Sequence, residues 1–504
     1  MTNKATRTAR PGVERAGKGF QMSGSIDGFS TATAMLRALQ AREISSVELL
    51  ELHRARIERL NPPLNAVVVQ DFERARVAAV ASDDARARGE TGALLGLPIT
   101  IKDAIDVQEL PSTAGLTERA QHRAGADALL VARARAAGAV IVGKTNVPPL
   151  LADWQADNPV YGRTNNPWNL ERTPGGSTGG GGAALAAGLT PLEFGSDIGG
   201  SIRVPAAWCG VYGHRPSSGI VPKSGHFPGS TLPSPVEHFG VVGPLARSAD
   251  DLDLALGVVA GPEVGEEVGW RLELPPARHS RLAEFRVAVL PRIPWLPVSA
   301  EIQGALDRLC DVLRRAGARV EEAQPAGFGD FLEHHIVYMT LLTAILNRRS
   351  PKESRAVAAA IRAAGGTFAE AHARGIEATV QDYVGWHERR ERYRASWRAF
   401  FREWDVVLAP IVVLTAPPHS TVRSSQRVSD VDGRQVHFVQ QLAYAGLSVL
   451  SGLPATAFPL GLSVDGMPVG VQVVGPYLED RTTIQFAGLV AEELGGFQCP
   501  PGYD

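Results

Sequence analysis

The stretch TPGGSTGGGGAALAAG, residues 173–188, sets seven glycines around two hydroxyl side chains, Ser177 and Thr178. Three physical readings compete for it. A phosphate-cradling loop closes on a lysine followed by Ser or Thr at the start of a helix, and this stretch has no lysine. Gly175 to Gly179 does satisfy the G-x-S-x-G of a nucleophile elbow, but an elbow follows a strand, and the preceding YGRTNNPWNLERTP is polar and turn-rich. A Ser-His-Asp hydrolase with Ser177 as nucleophile is therefore the disfavoured alternative. The plainest account is architectural: glycines let the chain turn sharply and let a helix, GGAALAAG, lie close on a sheet. A second glycine-hydroxyl cluster, GSDIGGSIRVPAAWCG at 195–210, weakens that account, because Gly199 and Gly200 directly precede Ser201. Successive glycine N–H groups before a serine can converge on one point, as an oxyanion requires.

A serine hydroxyl needs a base before it becomes a nucleophile. The chain has six lysines, and only Lys102 and Lys144 end apolar, strand-like runs, LGLPITIK and AVIVGK. A lysine held at such a place is partly desolvated, which lowers its pKa and leaves a neutral amine near pH 7. The competing account is a lysine paired with Asp103 or Asp106.

Working outward, the segments alternate. LGLPITIKDAIDV reads as a strand ending near Lys102, and ADALLVARARAAGAVIVGKTN as a helix, a turn at Gly138 and a strand into Lys144. FRVAVLP, SAEIQGALDRLCDVLRRAGARVEEA and WDVVLAP repeat the alternation. PATAFPLGL and MPVGVQVVGP read as late strands before a last helix at about 482–494. Nearer the start, Ser45 and Glu48 form a capping box opening an amphipathic helix that Pro62 and Pro63 close. His53 lies on the apolar stripe of that helix and reads as a core histidine. The pattern predicts one α/β domain over residues 26–504, a mixed and mostly parallel sheet surrounded by helices, after a flexible segment 1–25. Residues 328–427, rich in His, Arg and aromatics, read as a helical, pocket-forming region. Within it, Glu333, His334 and His335 lack the spacing of a metal site, since neighbouring side chains leave a helix on different faces.

Composition narrows the partners. A net charge of −2 with interspersed acids and bases provides no field for nucleic acid or an anionic membrane. No run approaches the roughly 20 apolar residues of a membrane span. Cys209, Cys310 and Cys499 are odd in number and widely spaced, so neither a disulfide framework nor a zinc site is expected. The basic, polar first residues lack the apolar core of a signal peptide. A cytoplasmic protein acting on a small neutral molecule is the expectation.

Lys102, the GGSTGG cluster and the DIGGSIR cluster together resemble the amidase signature family of serine hydrolases. GKTNVPP, NPWN, GPLARSADDL, GLPATAFPLG and GMPVGVQVVGP extend the resemblance from about residue 30 to 494. It implies one large α/β domain and amide hydrolysis by a Ser-cisSer-Lys triad with no metal or cofactor. By motif position Ser201 is the nucleophile, Ser177 the bridging serine with Gly176–Ser177 in cis, and Lys102 the terminal base. The N–H groups of Ile198, Gly199, Gly200 and Ser201 hold the oxyanion, and Thr178, Asp197 and Arg203 support them. The implied substrates are small, largely uncharged amides, with esters, anilides and carbamates open to the same chemistry, and a homodimer is the implied assembly. Segments 147–162, 226–235 and the helices after Phe328 would shape the pocket. The chain departs from the family at Thr178, commonly serine, at His214 and Arg215, where a lysine before the proline is usual, and at Val449, where many relatives have asparagine. The alternatives are a glutamine-dependent amidotransferase subunit serving an aminoacyl-tRNA, and an inactive binding protein on the same scaffold.

Overall fold

The computed structural model describes residues 26–227, 239–366 and 368–504. Eleven strands form one sheet: β1 (Val67–Gln70), β2 (Pro98–Lys102), β3 (Val140–Thr145), β4 (Leu192–Asp197), β5 (Tyr212–Arg215), β6 (Val241–Ala246), β7 (Arg286–Val289), β8 (Arg319–Glu322), β9 (Val406–Pro410), β10 (Ala455–Leu462) and β11 (Pro468–Val474). Their spatial order is β1-β3-β2-β4-β6-β5-β10-β11-β9-β7-β8.

The sheet is mixed, as expected, but its balance differs from the mostly parallel one. Among the described residues four neighbouring pairs are parallel, β2 with β3 and β4, and β7 with β8 and β9. The other six are antiparallel. Connection length explains the split. Where a helix returns the chain across the sheet, as Leu129–Ala136 does between β2 and β3, the strands run parallel. The five residues between β10 and β11 admit only a hairpin.

Helices cover both faces. Along β10, Ala457 packs with Ile202, Ala206 and Cys209, whereas the next residue, Phe458, joins the cluster of Ile484 and Phe486 on the helix Asp480–Leu494. The helix Ser46–Leu64 opens on the expected capping box, but both prolines lie in its last turn and it ends at Asn65, whose φ of 51° is left-handed. The helical region comprises Leu332–Leu346, Pro351–Ala364, Ala369–Ile376 and Val380–Phe400; β9, inside the expected span, returns to the sheet. Among the described residues no helix is long and apolar enough to cross a membrane. The expected flexible segment 1–25, and the part of the 226–235 pocket segment beyond residue 227, lie outside the described residues.

This topology places the chemistry. β2 and β4 are parallel neighbours, so Lys102 at the end of one and Asp197 at the end of the other emerge at the same sheet edge. Ligand sites of open α/β sheets lie at such carboxyl ends. The helix Gly179–Ala186 packs beneath them, wholly buried. It needs its glycines: a Cβ on Gly180 would lie 2.2 Å from the Asn146 nitrogen, and one on Gly181 2.6 Å from the Glu193 side chain.

Candidate active site

Lys102 is fully buried, and its ammonium sits among hydroxyls: Nζ donates to Ser177 Oγ at 2.7 Å, Thr178 Oγ1 at 2.9 Å and Ser196 Oγ at 3.0 Å. Among the described residues no carboxylate bonds it, and the Ser196 carbonyl lies at 3.5 Å. Burial dominates its electrostatics and pulls its pKa from 10.5 to about 7, against the pull of Asp197, Glu193 and Asp103. Lys144, the other strand-end lysine, is held differently. Its Nζ donates to the carbonyls of Asp103 and Pro111 and to Ser112 Oγ, at 2.6, 2.7 and 2.8 Å, an arrangement that suits a fixed cation.

Ser177 follows a cis peptide bond from Gly176. Both glycines before it are required: Gly175 has φ of +90°, and a Cβ on Gly176 would lie 2.5 Å from the Asp153 carbonyl oxygen. Thr178 keeps the hydroxyl of the usual serine, and its extra methyl lies over Gly195 of β4, where any Cβ would come within 2.6 Å of it. The Thr178 N–H donates to the Ser201 carbonyl at 3.1 Å, tying the two glycine-rich segments together. Ser201 is 5% exposed and Ser177 1%, so of the two serines Ser201 is the more accessible. No hydrogen bond joins the two serine hydroxyls among the described residues.

The Asp197 carboxylate organises the turn between β4 and the helix Arg203–Cys209. It accepts the N–H groups of Gly200 at 2.9 Å and Ile202 at 3.2 Å, and the Arg203 guanidinium at 2.9 and 3.0 Å. Burial pushes its pKa up, but Arg203 and Arg215 outweigh that and hold it at about 2. Arg203 also reaches Ser448 and Gln472, so this charge is compensated without solvent. One expectation changes here: the Gly200 N–H, expected to face an oxyanion, is engaged by Asp197. The N–H groups of Ile198, Gly199 and Ser201 have no acceptor among the described residues. The carbonyls of the turn are taken too, that of Ile198 by the Tyr338 hydroxyl at 3.0 Å and that of Gly199 by the Trp154 indole N–H at 2.9 Å.

Trp154 also walls a cavity of about 350 Å³ with Trp208, Leu414, Pro417 and Phe438. Most polar groups at its rim are engaged, with Arg427 Nε left without an acceptor among the described residues. Arg427 grips both oxygens of Asp153 at 2.6 Å, Gln155 exchanges two bonds with the Ser420 backbone, and Asp430 accepts from Gly433 and Gln435. The cavity thus presents aromatic surface bordered by hydrogen-bonded polar groups, the Asp430 carboxylate among them.

Reading the sequence missed five residues that matter here: Trp154, Glu193, Ser196, Arg215 and Tyr338. Ser196 had a signal, since it neighbours Asp197 within the quoted cluster. Arg215 stands out in the sequence only as a departure from the family; it is fully buried, 3.8 Å from Asp197, and its guanidinium binds the carbonyls of Leu453 and Phe239. His214 does bridge packed elements, between Thr456 and Asp480. Val449 is buried in the apolar cluster around Trp154 and Tyr338. His53 is buried, which pushes its pKa to about 3. His334 packs on Phe328 and Tyr393, while His335 bonds the Val439 carbonyl, so the adjacent pair turns to different neighbours.

A buried lysine thus bonds a serine that follows a cis peptide, and the Thr178 N–H ties that segment to the glycine turn of Ser201. The amidase family model matches residues 48–484, and the chain belongs to the amidase family. It is 34% identical to an indoleacetamide hydrolase of Bradyrhizobium diazoefficiens, over 88% of this chain and 82% of that one. A 6-aminohexanoate-cyclic-dimer hydrolase of Paenarthrobacter ureafaciens is 31% identical over 92% and 94%. A solved structure of a 6-aminohexanoate cyclic dimer hydrolase complexed with substrate superposes with a TM-score of 0.76 at 29% identity, covering 95% of this chain and 100% of that one. The chain is accordingly an amide hydrolase acting on carbon–nitrogen bonds.

Proposed function

We propose that the chain hydrolyses small, largely uncharged amides through an acyl-enzyme on Ser201, with Ser177 as proton bridge and Lys102 as base. The observation that carries this is the 2.7 Å contact between Lys102 Nζ and Ser177 Oγ inside a fully buried nest of hydroxyls. A neutral amine there has one lone pair, and the Ser177 hydroxyl is its nearest proton source. As Ser201 Oγ attacks the carbonyl carbon, its proton passes to Ser177 Oγ while the Ser177 proton passes to Lys102. The substrate oxygen becomes an oxyanion facing the N–H groups of Gly199 and Ser201, which the turn leaves open along with that of Ile198. Collapse expels the amine, which takes a proton back through Ser177; water then attacks the ester on Ser201 by the same route. The pKa of about 7 suits the task, since the amine can both accept and return a proton near neutral pH.

The aromatic cavity beside Trp154 favours an apolar, uncharged substrate group. Esters and carbamates offer the same carbonyl to the same nucleophile and fall within the reading. The test is turnover of an aryl amide, an aliphatic amide, an ester and a carbamate by wild type, Ser201→Ala, Ser177→Ala and Lys102→Ala. Loss in all three variants supports the relay. Activity that survives Ser201→Ala but not Ser177→Ala would move the nucleophile to Ser177 and overturn it.

A further inference from the structure

The turn that bears Ser201 is held from outside by side chains no motif contains. A peptide unit is planar and trans, so fixing its carbonyl fixes the N–H of the next residue in the opposite direction. The unit between Gly199 and Gly200 is held at both ends, its carbonyl by Trp154 and its N–H by Asp197, and has no donor left to offer. The unit between Ile198 and Gly199 is held only at its carbonyl, by the Tyr338 hydroxyl at 3.0 Å, and its N–H is open. The Gly200 carbonyl accepts from Val204, and the Ser201 N–H is open, as is that of Ile198.

Resting on the assignment of Ser201 as nucleophile, we propose that Tyr338 is a positioning residue for the reaction: by bonding the Ile198 carbonyl it aims the Gly199 N–H at the developing oxyanion. Three observations support this. Tyr338 is fully buried, and its ring packs beside Gly446 of the helix Phe438–Ser451, where any Cβ would lie 2.7 Å from it, so the hydroxyl is delivered by a fixed ring. Burial raises the pKa of the phenol, keeping it a donor. A hydrogen bond to the carbonyl of an amide also polarises that amide, making its N–H a stronger donor. Tyr338 comes from Leu332–Leu346, so the helical region reaches the reaction through one hydroxyl.

The experiment is Tyr338→Phe, which keeps the ring and deletes the donor. Once the best amide is known, its acyl group is built into a trifluoromethyl ketone, which Ser201 Oγ adds to reversibly, leaving a hemiketal oxygen in the place of the oxyanion. The matching methyl ketone, too weakly electrophilic to add, reports ground-state binding. Expected are a fall in kcat of roughly 10- to 100-fold, below the 10²- to 10³-fold typical of deleting a donor outright, with KM within about twofold. The trifluoromethyl ketone should weaken by the same factor and the methyl ketone not at all. Unchanged kcat overturns the proposal, as does a loss that appears in KM or equally in both ketones, because Tyr338 would then be a pocket wall. Gly446→Ala, which crowds the ring and leaves the hydroxyl, should lower kcat in the same direction; full activity there would also count against a fixed ring. If Ser201→Ala still binds the trifluoromethyl ketone as wild type does, the assignment of Ser201 fails, and that outcome is distinct from a normal Ser201 effect with a silent Tyr338→Phe.

Discussion

Two lysines end two parallel strands of one sheet, and their neighbours give them different fates. Lys144 has three oxygen acceptors, two of them carbonyls at 2.6 and 2.7 Å, and burial lowers its pKa to about 8; Lys102 has three hydroxyls within 3.0 Å and a carbonyl, that of Ser196, only at 3.5 Å, and burial lowers its pKa to about 7. Hydroxyls can donate as well as accept, so the Lys102 site tolerates the neutral amine, whereas carbonyls only accept. If the neutral amine is the base, kcat/KM rises with pH through about 7 and levels above it, because deprotonation increases in that direction. A rate that falls across that window would exclude Lys102 as base. Lys102→Arg, which stays charged, should lose at least about 10³-fold in kcat while folding normally. Lys144→Met should show the reverse pattern, with the two carbonyls left unpaired and a stability loss of about 2–4 kcal/mol in denaturant titration. Burial also links Lys102 to stability. The unfolded chain keeps this proton to about 10.5 and the folded chain only to about 7, so the unfolded state binds more protons between those values and stability rises with pH there. The Lys102 contribution is at most about 1.4 kcal/mol per pH unit, and Lys102→Met should flatten the slope by up to that amount.

At the scale of elements, the site is three chain segments meeting at the ends of β2 and β4, and each was legible to a different degree. The strand endings at Lys102 and Lys144 were plain, because β-branched apolar runs stop where a charge begins. The two glycine clusters were visible as anomalies of composition, and their pairing through Thr178 N–H and the Ser201 carbonyl follows from their packing. What the chain order hid were contacts from far away. Tyr338 and Trp154 lie 140 and 45 residues from the carbonyls they bond, inside segments whose own patterns say only helix and loop. Glu193 was hidden as well. It is a carboxylate inside an apolar strand, paired with the hydroxyls of Thr100 and Thr145 and pushed by burial to about 7, and nothing local marks it. The departure at Thr178 is explained by its partner element: Gly195 leaves room for the methyl. Thr178→Ser should therefore keep kcat within about threefold, while Gly195→Ala, with a methyl 2.6 Å from Thr178 Cγ2, should lower it by more than about tenfold. The strap at 417–430 is a second element-level device. It is stitched to the Trp154 loop by the Arg427–Asp153 pair and the Gln155–Ser420 bonds. Asp153→Asn should raise KM several-fold for aryl amides and lower Tm measurably, since the pair is bidentate and largely buried, its side chains 13% and 20% exposed.

For the whole molecule, sheet order decides how the parts share their stability. The helical region leaves the sheet after β8 and the chain returns in β9, which pairs with β7 on one side and β11 on the other. Those helices are therefore an insertion between strands of one continuous sheet, anchored at both ends. Their packing continues the sheet's core: Val337, Tyr338 and Leu341 share a cluster with Val204 and Val469, and Trp397 and Phe401 share one with Val407 and Ala455. An insertion tied this way cannot unfold without stripping the apolar cover from β9, β10 and β11. The turn that bears Ser201 would lose Tyr338 in the same event. The expectation is a single cooperative transition, where chains of this length commonly unfold in steps. Far-ultraviolet dichroism, tryptophan fluorescence and residual activity followed through the same urea titration should then coincide. Trp397→Phe, set in the cluster between insertion and sheet, should move all three midpoints together. An activity midpoint well below the dichroism midpoint would mean that the helical layer loosens first, and with it the hydroxyl that holds the Ile198 carbonyl.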